Sequence, residues 1–381
     1  MTCGNISTSL RSALIIVSLT VILFPGCSVK NQTQMKREKR MQSSPQFKEG
    51  KFVNPIEAPM MAPGSTWKYI KKSYFSKRID PKPTGKLPMK PIQPDEWTQK
   101  DLENVSFAWL GHSSILIAVD GKTILVDPVL DERASPFSWI GPKRFHPAPV
   151  TVEELPSSEV VLITHDHYDH LEEPTIKKLD SKTGLFLVPL GIGELLEDWG
   201  IAPEKVVELD WWEHHQVGSL TFTATPAVHY ARRGLFDGDE RLWCSWSIQG
   251  QNRNLFISGD SGYFDGFRKI GEKLGPFDIT FLKIGSYDEM WKQIHMTPEE
   301  AVQQHQDLGG SMLVPLHWAT FDLGLHPWYE PIERALVSAE KKEVHIITPL
   351  IGEQVDINRL PDKSSWWRKV YNGKKNTGKT D

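Results

Sequence analysis

The chain has 381 residues, 39% hydrophobic and 24% charged, which is enough apolar material for one large core. A net charge of −4 and the lack of a long basic run exclude a general attraction to polyanions, so nucleic acid is not an expected partner. The three cysteines, Cys3, Cys27 and Cys244, are too few and too scattered for a disulfide framework or a thiolate metal site.

Ala13 to Phe24 form an apolar run behind Arg11 and ahead of Pro25, Gly26 and Cys27. The run is too short to span a bilayer comfortably and fits the apolar region of a secretory signal. Gly26 before Cys27 suits a bacterial lipoprotein cleavage site with lipid on Cys27, although Phe24 and Pro25 fit that pattern poorly. A short uncleaved anchor or a plain secretory signal is the alternative. The expected location is therefore the cell envelope, with the protein lipid-anchored on the periplasmic side or at the outer membrane.

Residues 28–94 are rich in Lys, Gln, Ser and Pro, and read as a tether and an extended N-terminal arm. Within it Trp67, Ile70, Tyr74 and Phe75 recur near helical spacing, with Lys68, Lys71, Lys72, Lys77 and Arg78 between them. Such a basic amphipathic segment either packs its aromatics on the main domain or meets a membrane surface.

A hydrolase domain over 95–358 is marked by strand-like runs. SFAWLGHSSILIAV and KTILVDPVL flank Asp120-Gly121, a pair suited to a type I′ hairpin turn. Further strands are expected at Val160–Thr164, Leu185–Pro189, Val206–Leu209, Ser219–Thr225, Leu242–Gln249, Asn254–Ser258, Ile279–Ile284, Met312–Pro315 and Val344–Thr348. Thr297-Pro298-Glu299-Glu300 supplies a helix start with a capping box, and Gly309-Gly310 its stop. Strands in two batches, divided near residue 200 and alternating with helices, predict an α+β arrangement of two face-to-face sheets with helices outside. Residues 359–381 read as a polar tail.

The segment VVLITHDHYDHLEE runs an apolar strand into His165, Asp166, His167, Tyr168, Asp169 and His170. Imidazole and carboxylate are the donors that suit zinc and similar divalent ions. His165 and His167 can grip one ion, and Asp169 and His170 a second. His229, Asp260 and His317 each follow an apolar strand, where a packed scaffold holds a polar side chain rigidly.

HxHxDH, a later His, a GD aspartate and a last His resemble the metallo-β-lactamase superfamily, whose fold is an αββα four-layer sandwich. WLGHSS, ASPFSWIGPKRFHPAPVTVEELP, THDHYDHL, ELDWWE, LWCSWSI, SGDSGYF and HWATF resemble, in order, segments of the N-acyl-phosphatidylethanolamine-hydrolysing phospholipase D family. The resemblance implies His165, His167 and His229 on one metal and Asp169, His170 and His317 on the other, with Asp260 bridging. Asp166 stands where a relative carries Asn and is not a ligand in that family. Two divalent ions, expected to be zinc, would hold an acidified water as nucleophile. Asp169, Asp260 and His295 are the candidate catalytic residues, His295 being placed near substrate by the resemblance.

Asp127 is a candidate to orient a ligand, or only a strand-ending residue. His112 is a lesser candidate at the pocket rim. Ser113, Ser114, Ser261 and Cys244 read as structural. Lys143 and Arg144 are candidate phosphate contacts, or merely solvated. Phe137, Trp139, Phe145, Trp291, Trp318, Phe321 and Trp328 would line an acyl channel, or pack the core. The resulting expectation is a phosphodiesterase of phospholipase D type acting on N-acyl-phosphatidylethanolamine. Its partners would be a phospholipid substrate, a membrane surface and a second copy in a homodimer. A lactonase or other phosphoesterase, and a non-catalytic metal- or lipid-binding envelope lipoprotein, are the competing readings.

Overall fold

The computed structural model describes residues 32–93, 97, 105–361 and 364–376, so the apolar run at 13–24 and Cys27 lie outside the described residues. Helix α1 (Gln32–Ser43) precedes a small hairpin of β1 (Phe47–Lys48) and β2 (Lys51–Phe52), and then a short α2 (Ser65–Ile70) that widens through Lys71–Phe75. Next come β3 (Val105–Gly111), β4 (Ser114–Val119), β5 (Lys122–Val126), β6 (Ser158–Leu162), α3 (Glu173–Leu179), β7 (Thr183–Pro189), α4 (Ile192–Asp198) and β8 (Val206–Leu209). The second half holds β9 (His214–Val217), β10 (Leu220–Thr225), β11 (Ser245–Gln249), β12 (Asn254–Ile257), α5 (Gly266–Leu274), β13 (Phe277–Lys283), α6 (Pro298–Asp307) and β14 (Gly310–Leu316). Helix α7 (Glu330–Lys341), β15 (Gln354–Asp356) and α8 (Trp366–Asn376) follow.

One sheet has the order β15-β3-β4-β5-β6-β7-β8 and the other β14-β13-β12-β11-β10-β9. Each joins antiparallel strands to a run of parallel ones, β5 to β8 in the first and β12 to β14 in the second. The division near residue 200 therefore holds for most strands. The exceptions are β8, which still belongs to the first sheet, and β15, which returns to that sheet's edge beside β3.

Alternation along β3 shows how the layers form. Phe107 and Trp109 face the opposite sheet, where Phe107 meets Phe281 of β13 edge to face at 5.1 Å. Ala108 and Leu110 point the other way, into a second apolar layer with Ile176 and Leu179 of α3 and Ile192 and Leu196 of α4. Burial on both faces is why these strands read as nearly continuous apolar runs. Helices α5 and α6 follow the parallel strands of the second sheet, and α6 packs on β13 and β14. The result is the expected αββα sandwich.

Local rules hold where they are strongest. Asp120 and Gly121 both take positive φ, 49° and 68°, between β4 and β5. Thr297 and Glu300 form the capping box of α6, and Gly309 takes φ 65° just beyond its end. The expected strand at Val344–Thr348 is reduced to a single bridge between Leu313 and Ile346, because neither Pro315 on β14 nor Pro349 has an N–H to continue the ladder. The segment read as a polar tail supplies α8, whose Trp366 and Trp367 are buried against Trp318.

Candidate metal centre

Strands β10, β12 and β14 run in the same direction, so the residues that follow them emerge at one end of the sandwich. His229, Asp260 and His317 lie there and meet His165, His167, Asp169 and His170 beyond β6. The turn before Asp260 requires glycine. Gly259 has φ 56°, and a Cβ there would lie 2.7 Å from the Thr164 side chain.

Two donor sets form. In the first, His167 Nδ1 lies 3.0 Å from His165 Nε2 and 3.3 Å from His229 Nε2. Nitrogens bound about 2.0–2.1 Å from one tetrahedral zinc stand roughly 3.3 Å apart, so these three fit one ion. In the second, His112, Asp169, His170 and His317 place one donor atom each within a common 4.8 Å. Asp260 lies between the sets, with Oδ1 3.4 Å from His170 Nε2 and Oδ2 3.2 Å from His317 Nε2 in the second, while it groups with His165 and with His229 of the first. His170 Nε2, His317 Nε2 and Asp260 Oδ1 are buried without a hydrogen-bond partner. Buried polar atoms are rarely left so, and here they converge where a cation would satisfy them all.

The outer contacts fix the rings. Thr164 Oγ1 donates to Asp127 Oδ2 and so accepts from His165 Nδ1, which turns Nε2 of His165 inward. His170 Nδ1 donates to Asp127 Oδ2 at 2.7 Å, and His229 Nδ1 to the Ile294 carbonyl at 3.2 Å. Such bonds to the remote nitrogen set tautomer and ligand orientation.

The charges are strongly coupled. Burial drives the His165 and His229 imidazoles well below their usual pKa, and neighbouring histidines add to this. Burial also opposes a charge on His170, but Asp260, Asp169 and Asp127 outweigh it and raise the group to about 9. For Asp260, burial favours the neutral acid, yet His317 and His170 hold it well below the carboxylate range. Anionic Asp260 beside the neutral imidazoles of His165 and His229 is a donor set for a divalent ion, and His170 would give up its proton to join it.

All seven expected ligands are thus brought together. His295 joins them at the wall, with Nδ1 3.7 Å from Asp260 Oδ2. Asp166 turns away, accepting from the Arg232 N–H and from Arg241 Nε. Ser113 and Ser114 are buried, with the Ser114 hydroxyl spent on backbone groups, as is that of Ser261. Cys244 is a buried free thiol.

Other expectations need correction. Arg144 is buried and donates to the carbonyls of Val129 and Leu110, so it braces loops rather than meeting substrate. Lys143 pairs with Glu132 at the surface. Of the seven proposed channel aromatics, Trp291 lines the cavity over the metal donors, whereas Trp318, Phe321 and Trp328 are core, Phe145 packs half-buried against the core, and Phe137 and Trp139 are exposed. That cavity, of about 290 Å³, has His167, Asp169, Asp260 and His317 on its floor and His295, Met60, Met61, Tyr69, Tyr230, Trp291 and Leu323 among its walls.

Three contacts escape sequence reasoning. His112 is not at the rim but buried, donating from Nε2 to Asp169 Oδ2 at 2.8 Å. Arg233 donates to the carbonyls of Asp166 and Leu171 and stacks on Tyr168, bracing the metal-binding turn. Asn54, from the arm, bonds the backbone of His229. The GHSS motif pointed to the first, but no local pattern marks the others.

A β-lactamase superfamily domain matches residues 122–318. An uncharacterised protein of Mycobacterium tuberculosis is 40% identical over 332 residues, covering 86% of this chain and 88% of the relative. N-acyl-phosphatidylethanolamine-hydrolyzing phospholipase D 1 of Caenorhabditis elegans is 36% identical, over 70% of this chain and 79% of its own length. Among solved structures, an isothiocyanate hydrolase from Delia radicum gut bacteria aligns with a TM-score of 0.53 at 20% identity, over 66% of this chain and 98% of its own. At that identity the likeness concerns the fold alone.

Proposed function

The chain belongs to the metallo-β-lactamase superfamily as a metal-dependent hydrolase, and we propose that it is a phosphodiesterase of phospholipase D type, splitting N-acyl-phosphatidylethanolamine into an N-acylethanolamine and a phosphatidic acid. The observation that carries this reading is one cavity with metal donors on its floor and Met60, Met61, Tyr69, Trp291 and Leu323 on its walls. A phosphodiester suits the floor and an acyl chain the walls. The named activity of the Caenorhabditis elegans relative supports it.

In this reading His165, His167 and His229 hold one ion, Asp169, His170 and His317 the other, and Asp260 joins them. Zinc suits this nitrogen and oxygen set. Bound ions would polarise a phosphoryl oxygen and bring a water's pKa toward neutrality. The protein's own groups bind and orient. His295 lines the cavity wall beside Asp260 and in this reading would hydrogen-bond a phosphate oxygen. Trp291 donates from its indole to the Ser286 carbonyl and meets Tyr69 edge to face, which fixes the apolar wall.

The same side of the molecule would face lipid. Helix α2 carries Tyr69 into the cavity wall while Trp67 stays 75% exposed, and Phe75 just beyond it 79% exposed. A lipid anchor at Cys27 would keep the protein near an envelope membrane.

The test is mass spectrometry of products from N-acyl-phosphatidylethanolamine in ¹⁸O-labelled water, using protein whose metal content has been measured. Release of N-acylethanolamine with label in the phosphatidic acid is expected, since water then attacks phosphorus and the ethanolamine oxygen leaves. Metal-loaded protein that cleaves lactones or other phosphoesters but not this lipid overturns the reading.

A further inference from the structure

The carboxamide of Asn54 is paired with the backbone of His229 in both directions. Nδ2 donates to the His229 carbonyl at 2.8 Å, and Oδ1 accepts from the His229 N–H at 2.9 Å. His229 lies beyond the end of β10, where no strand pairing among the described residues serves its main chain, and its side chain is fully buried. Asn54 therefore stands in for a neighbouring strand at a residue whose imidazole Nε2 faces His167 and His165.

From the opposite side the preceding residue is held by the core. The Ser261 hydroxyl accepts from the Val228 N–H, and the Gly262 N–H donates to the Val228 carbonyl. Ser261 directly follows Asp260. The backbone at 228–229 is thus gripped between the Asp260 segment and the arm, and the ring has little freedom left once its Nδ1 is bonded to Ile294.

The arm is itself fastened down. Arg37 of α1 is buried between Glu197 and Glu208, at 2.5 and 2.6 Å, and Arg40 pairs with Glu213. The Phe52 N–H donates to the Asp239 carbonyl and the Phe52 ring is buried. Further on, the Ala62 N–H bonds the Met290 carbonyl, next to Trp291 in the cavity wall. None of these arm residues lies within 122–318, the stretch matched by the superfamily domain.

We propose that Asn54 is a positioning residue for the metal ion held by His165, His167 and His229, and that the N-terminal arm is in this way part of the hydrolase site. The inference rests on the reading of His229 as a metal ligand. A clamp on main-chain N–H and C=O fixes where the ligand nitrogen sits, and partners at this remove from a metal typically change its affinity by about 10–100-fold. Among the described residues Asn54 has hydrogen bonds to His229 and none to Asp169, His170 or His317, so the ion those three would hold should be unaffected.

The test measures metal affinity at both sites by competition with a chelator, in full-length wild type, Asn54→Ala, Asn54→Asp and His229→Ala, alongside thermal unfolding of each metal-free protein. Asn54→Ala should weaken one site by about 10–100-fold and leave the other within about threefold. Asn54→Asp keeps the acceptor for the His229 N–H but turns a carboxylate oxygen on the His229 carbonyl, so it should weaken the same site as well, and it reads the same question if the alanine variant does not fold. Wild-type affinity at both sites with a lower melting temperature would make the arm a mere strap and overturn the proposal, as would an equal loss at both sites. A His229→Ala protein that retains both metals at wild-type affinity would instead defeat the assignment of His229 itself.

Discussion

Asp127 Oδ2 accepts hydrogen bonds from both His170 Nδ1 and Thr164 Oγ1, each at 2.7 Å, while Oδ1 takes the Thr164 N–H at 2.8 Å. One buried carboxylate thereby sets the tautomer of His170 directly and that of His165 through Thr164, one histidine from each donor set. Asp127→Asn puts an amide donor against one of three donors, so a ring must turn or a buried N–H go unpaired. Metal affinity should drop by about 10–100-fold. Chelator competition on the folded variant checks this, and an unchanged affinity would reduce Asp127 to a strand-ending residue.

Asp260 approaches His170 and His317 of the second set with its two oxygens and also groups with His165 and with His229 of the first, so its charge is shared across both donor sets. Asp260→Asn should cut turnover by roughly 10³-fold or more, the scale of several kcal/mol of metal catalysis. Folding of the metal-free protein should suffer less than turnover, because Oδ1 has no hydrogen-bond partner to lose and only the attraction to His170 and His317 is given up. Steady-state kinetics and circular dichroism separate the two effects. By contrast, His170→Ala and His317→Ala should each lose about one metal per chain by elemental analysis.

How much of this could be read from the residues depends on the range of the interactions. The turn at Asp120-Gly121 and the cap at Thr297 obey rules that act over a few residues, and both were legible. The ligands were legible because each follows an apolar strand that ends in a polar residue, and His165 to His170 form one dense run. The Asn54 clamp joins residues 175 apart in the chain, and Arg144 reaches carbonyls 15 and 34 residues away, which no periodicity encodes. Trp366 and Trp367 sit among charged residues, and only their packing on Trp318 makes them core.

His305 should impose an acid limit on stability. It is buried in α6 with Nδ1 2.7 Å from Thr280 Oγ1, and burial, followed by the charge of His345, lowers its pKa to about 4. An unfolded histidine titrates near 6.5, so between about pH 6.5 and 4 the unfolded chain binds the extra proton and stability falls as pH falls. At pH 5 this amounts to about 2 kcal/mol relative to pH 8. His305→Gln keeps a hydrogen-bonding group at Thr280 without the titration. Urea unfolding of the metal-free protein should show a flatter profile between pH 7 and 4.5, and parallel profiles would show that His305 is not the group.

Membrane attachment has a specific geometry to test. Trp67 and Phe75 project into solvent beside a helix whose Tyr69 reaches the cavity, while Lys68 and Lys71 are exposed on the same segment. Lys72 and Arg78 are engaged with Asp288 and Asp322, so they fasten the segment to the domain and are poor candidates for lipid contact. An aromatic that enters the interface gains up to about 1.5–3 kcal/mol, and a lysine near an anionic surface about 1 kcal/mol. Trp67→Ser with Phe75→Ser should therefore lower vesicle binding by at least about tenfold at any salt concentration. Lys68→Glu with Lys71→Glu should weaken it at low salt on anionic vesicles, with the difference vanishing near 1 M salt, where the Debye length is about 3 Å. Sedimentation with phosphatidylglycerol and phosphatidylcholine vesicles distinguishes these effects. Turnover of a short-chain soluble phosphodiester should stay at wild-type level in both pairs, because neither touches the metal donors. Unchanged partitioning of the aromatic pair would show that this side of the molecule does not meet the membrane.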